Sequence, residues 1–206
     1  MWLVPKLDAF RARHPNVSVL IDSSQEIVDL RRGDVDVAIR YGVADQDGLL
    51  TNRLFVDLIF PACSPSLMEG PPMLRRLSQL KNVPLIHWDI SQLTWANKTR
   101  EWFDWDRWFE RIGSEKMKGK STLHFNDYGQ AVQAAVAGQG VVLASGPILR
   151  DVLKTGHLVQ PFGECLGSDI GFVLVTAKST KGRQVVIDFT NWVTELADLQ
   201  KLETSK

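Results

Sequence analysis

The feature that most limits what this chain can fold into is its hydrophobic period, which switches every ten or fifteen residues between helical spacing and alternation. Val4, Leu7 and Phe10 stand three apart in residues 3–14, with Pro5 tolerable only in a first turn, so an amphipathic helix is expected there, stopped by His14-Pro15. Val17-Ser18-Val19-Leu20-Ile21 reads as a strand from its β-branched, mostly apolar run. Ser23-Ser24-Gln25-Glu26 fits the S-x-x-E capping box, predicting a helix that turns Ile27 and Leu30 inward and ends at Gly33. Val35, Val37 and Ile39 then alternate with Asp36, Ala38 and Arg40 in a strand closing at Tyr41-Gly42. Helix, strand, helix, strand with short links is the grammar of an α/β domain around a parallel sheet.

A longer extended segment, Leu54 to Ala62, ends at Cys63-Ser64-Pro65, and a second α/β series follows. Leu74, Leu77 and Leu80 mark a short helix, Pro84 to His87 a strand, residues 98–112 a helix, and Thr122 to Phe125 a strand. Asn126 is expected to cap a helix running through Ala131, Val132, Ala134 and Ala135 to Gly138. Val141 to Ala144 is a buried strand, and Pro147 opens a helix through Leu149 and Leu153 that ends at Gly156. After Leu158-Val159 and Gly163 come one strong strand, Ile170 to Thr176, and a last helix from Gln184 to about Gln200. That helix carries Val185, Phe189, Trp192, Val193 and Leu196 on one stripe. A closing strand and helix with no sheet of their own imply a two-lobed, discontinuous fold whose tail returns to the first lobe. No internal repeat or low-complexity segment is evident.

Charge and composition narrow the function classes. Length, 206 residues at roughly 150 per domain, allows one large domain or two small ones. Lys+Arg and Asp+Glu both number 24, so the chain lacks the basic excess by which a domain grips nucleic acid on its own. Cys63 and Cys165 lie far apart without metal-ligand spacing, and none of His14, His87, His124 and His157 clusters near them, so two reduced, mostly buried thiols and no metal are expected. No apolar run approaches the ~20 residues of a membrane span, and the N-terminus has no charged-then-apolar leader, so a cytoplasmic chain is expected. Ala144-Ser145-Gly146 is not a nucleophile elbow, and no phosphate-binding glycine loop appears, so neither an enzyme nor a cofactor is expected.

The segments taken in order resemble the effector-binding domain of LysR-type transcriptional regulators, in the branch of glycine-cleavage activators. The stretches that carry the resemblance are Trp2-Leu3-Val4-Pro5-Lys6-Leu7 with Phe10-Arg11-Ala12-Arg13-His14-Pro15, and Gly33-Asp34-Val35-Asp36-Val37-Ala38-Ile39-Arg40-Tyr41-Gly42. Pro61-Ala62-Cys63-Ser64-Pro65 follows, then Phe125-Asn126-Asp127-Tyr128 and Gln133-Ala134-Ala135-Val136-Ala137-Gly138-Gln139-Gly140-Val141. The resemblance implies an α/β fold of two Rossmann-like subdomains joined by crossover strands, as in type 2 periplasmic binding proteins. Residues 1–59 with 168–206 would form one subdomain and residues 60–167 the other, with a small organic effector, an amino acid or carboxylate, held between them. It also implies a homodimer or higher oligomer, pairing residues 3–14 of one copy with 147–155 of another. The family's winged helix-turn-helix has no counterpart here, so DNA would be reached only through that absent part. The strand that precedes the first sensor helix in the family, central in its sheet, has none either. The expectation is a truncated sensor, less stable than a complete one because each buried backbone group left unpaired costs ~1–3 kcal/mol. A free-standing solute-binding protein of the same fold, or a module kept only for dimerisation, are the competing readings.

In this fold ligands lie against strand ends and helix N-termini, where exposed N–H groups favour an anion. The effector candidates are therefore Ser23, Ser24, Arg40, Tyr41, His87, Asp89, Asn126, Asp127 and Tyr128. Each has a plainer role beside it. Ser23, Ser24 and Asn126 could merely cap helices, Asp127 could complement a helix dipole rather than answer an effector amine, and His87 could be a satisfied core histidine. Gly42 could serve only a turn with positive φ. Five of the seven tryptophans, at 88, 95, 102, 105 and 108, cluster within 21 residues. Trp102, Trp105, Phe109 and Ile112 share a helical face by spacing, with Trp108 on an adjoining one, and this face is either core or an aromatic wall on the cleft.

Overall fold

A computed structural model describes residues 1–24, 26–42, 47–70, 73–89, 102–180 and 182–204. A 3-10 turn at Val4–Lys6 leads into α1 (Leu7–Arg13), followed by β1 (Val37–Tyr41), β2 (Leu49–Ala62), the single turn α2 (Ser66–Glu69) and β3 (Leu85–Trp88). Then come α3 (Trp105–Arg111), β4 (Thr122–Phe125), α4 (Tyr128–Val136), β5 (Val141–Ser145), α5 (Gly146–Lys154), β6 (Leu166–Ala177) and α6 (Gln184–Thr204). The chain divides into two compact units, residues 1–2 with 57–168 (the mid-chain unit) and residues 3–56 with 169–206 (the split unit). Among the described residues no helix is long and apolar enough to cross a membrane.

The mid-chain unit has strand order β2-β5-β3-β4. β3 runs parallel to both β4 and β5, while β2 joins β5 antiparallel from Ile59↔Ser145 to Ala62↔Val142. Flanked on both edges, β5 is buried at all five positions, as its unbroken Val-Val-Leu-Ala-Ser run requires. Ala131, Val132, Ala134 and Ala135 of α4 share one core with Phe60, Ile86, Val142, Leu149 and Leu158. Of the helix expected over 98–112, residues 98–101 lie outside the described residues, 102–103 are helical, and after Asp104, whose carboxylate accepts from Arg107 N, α3 runs from Trp105 to Arg111. Trp105, Trp108 and Phe109 are buried, and the indoles donate to Ile86 O (3.0 Å) and Ile59 O (3.3 Å). Core packing is therefore what this aromatic face does; Trp95 lies outside the described residues. The leucines at 74 and 80 are buried around a 3-10 turn, Leu77–Asn82, rather than an α-helix.

The split unit has strand order β1-β6-β2, with β1 antiparallel to β6 from Val37↔Thr176 to Tyr41↔Phe172. Backbones close tightly here: a Cβ on Gly171 would stand 1.9 Å from Phe55 O, so only glycine fits. Leu30, Leu49, Val173, Val175 and Ala177 form a small core, and Phe10 of α1 packs against Phe189 and Trp192 of α6 at 5.0 and 5.2 Å. Two expectations fail in this unit. Residues 17–21 form no strand, and Leu20 is 93% exposed. Strand propensity is the fit of a side chain to a half-buried pleated surface, and without a ladder it stabilises nothing. Nor does a helix start at Ser23; only a 3-10 turn forms, Leu30–Arg32, capped by Asp29 and closed by Gly33 at φ 86°. A capping box contributes ~1 kcal/mol, too little to nucleate a helix whose Ile27 is left largely exposed.

Candidate functional site

In the mid-chain unit the C-terminal ends of β3 and β4 lie side by side, with His87 opposite His124 and Trp88 opposite Phe125. The chain leaves β3 through Asp89, whose N–H donates to Phe125 O at 2.7 Å. It leaves β4 through Asn126 and Asp127 directly into α4. Asp127 is the N-cap, at φ −114° and ψ 126°, and its carboxylate accepts from Gln130 N at 2.8 Å. The expected cap, Asn126, stands one residue too early for that geometry. Its carbonyl instead accepts from Trp88 Nε1 at 3.3 Å. Trp88, Phe103 and Tyr128 form an aromatic triangle with ring centroids 5.1 to 5.4 Å apart. Five sequence candidates, His87, Asp89, Asn126, Asp127 and Tyr128, thus meet at one end of one parallel strand pair.

Their chemistry is divided. The His87 ring stacks on His124 at 4.6 Å and 13°, and its buried Nε2 finds no hydrogen-bond partner among the described residues. Burial, and then the field of His124, hold the His87 imidazole below its ordinary value, against the pull of Asp104, Asp106 and Asp89. Asp89 Oδ2 lies 3.9 Å from His124 Nδ1. Tyr128 offers its ring but not its hydroxyl, which donates to Leu143 O at 3.2 Å and accepts from Ser145 N at 2.8 Å. Burial pushes that phenol well above the usual tyrosine range. Ser145 in turn donates to the buried Asp57 carboxylate at 2.7 Å, so a polar chain ties α4 to β5 and β2.

In the split unit, Arg40 and Tyr41 close β1. The Arg40 guanidinium donates to Val28 O and is half-buried, which lowers its pKa yet leaves it cationic. Tyr41 packs edge-on against Phe172 at 4.9 Å. Gly42 takes φ 102° and donates to Gly171 O, so the turn expected of it is present. Ser23 and Ser24 are exposed on irregular backbone; Ser24 Oγ accepts from Glu26 N at 3.0 Å, a local turn rather than a helix cap.

Sequence reasoning missed His124, Phe103 and the Asp57–Ser145 pair. His124 carried a signal, since both histidines are the third residue of a four-residue strand in adjacent β-units. Asp57–Ser145 carried none, because 88 residues separate them. Of the thiols, Cys63 is buried and pushed up to about 11, an inert group, whereas Cys165 is exposed, contrary to expectation; both are free.

The family model for the LysR substrate binding domain matches residues 1–198. The glycine cleavage system transcriptional activator of Escherichia coli (strain K12) is 31% identical over 192 residues, covering 93% of this chain and 59% of that relative. The HTH-type transcriptional activator AmpR of Rhodobacter capsulatus is 26% identical over 195 residues, covering 94% and 61%. The chain therefore spans about three-fifths of the length of these relatives. Among solved structures, the effector domain of the transcriptional regulator AmpR of Pseudomonas aeruginosa superposes with a TM-score of 0.75 at 22% identity, covering 100% of this chain and 93% of that one.

Proposed function

The chain belongs to the LysR substrate-binding domain family, and from that premise we propose that it senses a small organic effector for a bacterial LysR-type transcription regulator. Its α/β fold is that of the LysR effector domains it matches, the type 2 periplasmic-binding-protein architecture. In this reading residues 1–59 with 168–206 and residues 60–167 are the two regulatory subdomains, and they close on the effector. Closure would shift the population of lobe arrangements and so the DNA-binding parts of the whole regulator. Copies would associate through residues 3–14 and 147–155. No turnover is assigned: the relatives are regulators, and burial keeps the Cys63 thiol protonated.

The observation that supports this reading is the meeting of His87, Asp89, Asn126, Asp127 and Tyr128 at the C-terminal ends of parallel strands, where ligands of open α/β sheets lie. The site's own charges select among effectors. Asp127 already occupies the N-terminus of α4, so an anion there meets a like charge, while an ammonium group finds Asp89, Asp127 and the face of Trp88. Arg40, Ser23 and Ser24 suit a carboxylate. An amino acid carries both groups. Calorimetry with pooled amino acids and pooled small carboxylates tests this. One amino acid should give a saturable heat, and Asp89→Asn should weaken it at least tenfold. No heat from any pool, or full affinity in Asp89→Asn, would contradict the assignment.

A further inference from the structure

Two imidazoles meet at the strand ends of the candidate site, His87 on β3 and His124 on β4, as Cα partners in one parallel ladder. Their rings stack at 4.6 Å and 13°. Two positive charges at that spacing repel, so the pair takes up one proton well before a second. The rings are not equivalent. A charged His87 needs an N–H on its buried Nε2, where no acceptor stands among the described residues. His124 is exposed, and its Nδ1 lies 3.9 Å from Asp89 Oδ2. The single proton therefore goes to His124, with Asp89 as its counter-charge. Asp104 and Asp106, at the start of α3, act on His87 through space. Asp104 also accepts from Arg107 N at 2.9 Å, and Asp106 lies 3.9 Å from Lys116 Nζ. On the α4 side, Asp127 accepts from Gln130 N at 2.8 Å.

We propose, on the amino-acid reading of this site, that a proton on His124 and the ammonium group of the effector compete for Asp89. With His124 neutral, Asp89 keeps its full negative charge for the amine. With His124 charged, that charge is already balanced, and the amine meets a like charge beside it. Binding of the amine therefore returns one proton from the His124 imidazolium to the buffer, the ring nitrogen keeping the electron pair. His124 is thereby the residue that sets when the site accepts an amine. Asp89 and His124 are both half-exposed, so solvent and salt limit the effect to several-fold.

The test is calorimetry of the 206-residue chain with the pooled amino acids as probes. It is run at about pH 7.5 and about pH 5.5, the latter still above the ~4 at which carboxylates ordinarily titrate. Affinity should be about fivefold weaker, or more, at the lower pH. Measured there in two buffers of different ionisation enthalpy, the heat should differ between them, as release of a proton requires. His124→Asn and His124→Gln, at an exposed position, should each remove both the pH difference and the buffer dependence. Should one of them fail to fold, the other decides. In the ligand-free chain, 15N NMR of the ring nitrogens should show His124 charging before His87 as pH falls. Equal affinity at both pH values, a pH difference that survives in a folded His124 variant, or His87 charging first would overturn the competition and leave the amino-acid reading in place. No heat from any amino acid at either pH would overturn both.

Discussion

In the mid-chain unit every strand of the β3–β4–β5 set has a parallel neighbour, and helix α4 covers it with small side chains that allow close packing. In the split unit the described pairing of β1 is to β6, and residues 17–24 and 26–29, between α1 and the 3-10 turn, are irregular backbone. Leu20, Ile21 and Ile27 are exposed there, although their types are those of a core. The two units contain comparable apolar and β-branched runs, so composition does not explain the difference. What differs is whether a second element lies alongside to take up hydrogen bonds and cover a face. Secondary structure in an α/β unit is a cooperative property of neighbours, and a segment's propensity is realised only when its edges and faces are occupied.

Paired substitutions can break or sharpen this comparison. The largest difference is expected between Trp108→Ala and Leu20→Ala. The first empties a fully buried site and removes a hydrogen bond to Ile59 O, and should cost ~3–5 kcal/mol in urea unfolding. The second, at a 93% exposed side chain, should stay within ~0.5 kcal/mol. Comparable losses would mean that residues 17–21 are packed after all.

A middle-sized contrast comes from the two serine- and aspartate-based turns. Asp127→Ala removes a genuine helix cap and should lower stability by ~1 kcal/mol in the same assay. Ser24→Ala removes only a local turn and should cost less than about half of that. Equal losses would indicate that a helix begins at Ser23.

The smallest expected effects are in pH dependence, and the two units should respond in different windows. His87 is held below its ordinary value of 6.5, so the unfolded chain binds its proton first; stability rises with pH through the interval beneath 6.5 and falls on acidification there. Asp29, beside the Arg31 guanidinium at 2.7 Å, is lowered from 3.8 to about 2. Its contribution is present above 3.8 and disappears as pH drops toward 2; solvent and salt screening of this partly exposed pair keep it small. Thermal melts of His87→Asn and Asp29→Asn across pH 2 to 8 should flatten the upper and the lower window respectively. A variant that leaves its own window unchanged would contradict the assignment.

Much of the mid-chain unit was legible because its elements pair with elements close in sequence. Thr122 to Phe125 is a strand as expected, and Val141 to Ala144 is buried as expected of its apolar run. The aromatic helix was legible as core because Trp105 and Phe109 fall on one helical face by spacing, with Trp108 on an adjoining one, and all three are buried. Residues 17–30 were misread because local signals, β-branching and a capping box, carry about 1 kcal/mol each and say nothing of neighbours. At the candidate site, strand ends and the α4 start were visible, but the cap was displaced from Asn126 to Asp127 by one residue of backbone geometry. The contacts to Asp57 and Leu143 depend on which strands stand next to α4, information that pairs distant in sequence do not display locally.

The most direct test of the proposed effector contacts at the strand ends is amide hydrogen exchange of the whole chain, with and without the ligand that calorimetry selects. Exchange should slow at residues 87–89 and 126–130 and also at 40–42, while α3 remains unchanged. Slowing confined to one unit, or found only away from these strand ends, would contradict the account.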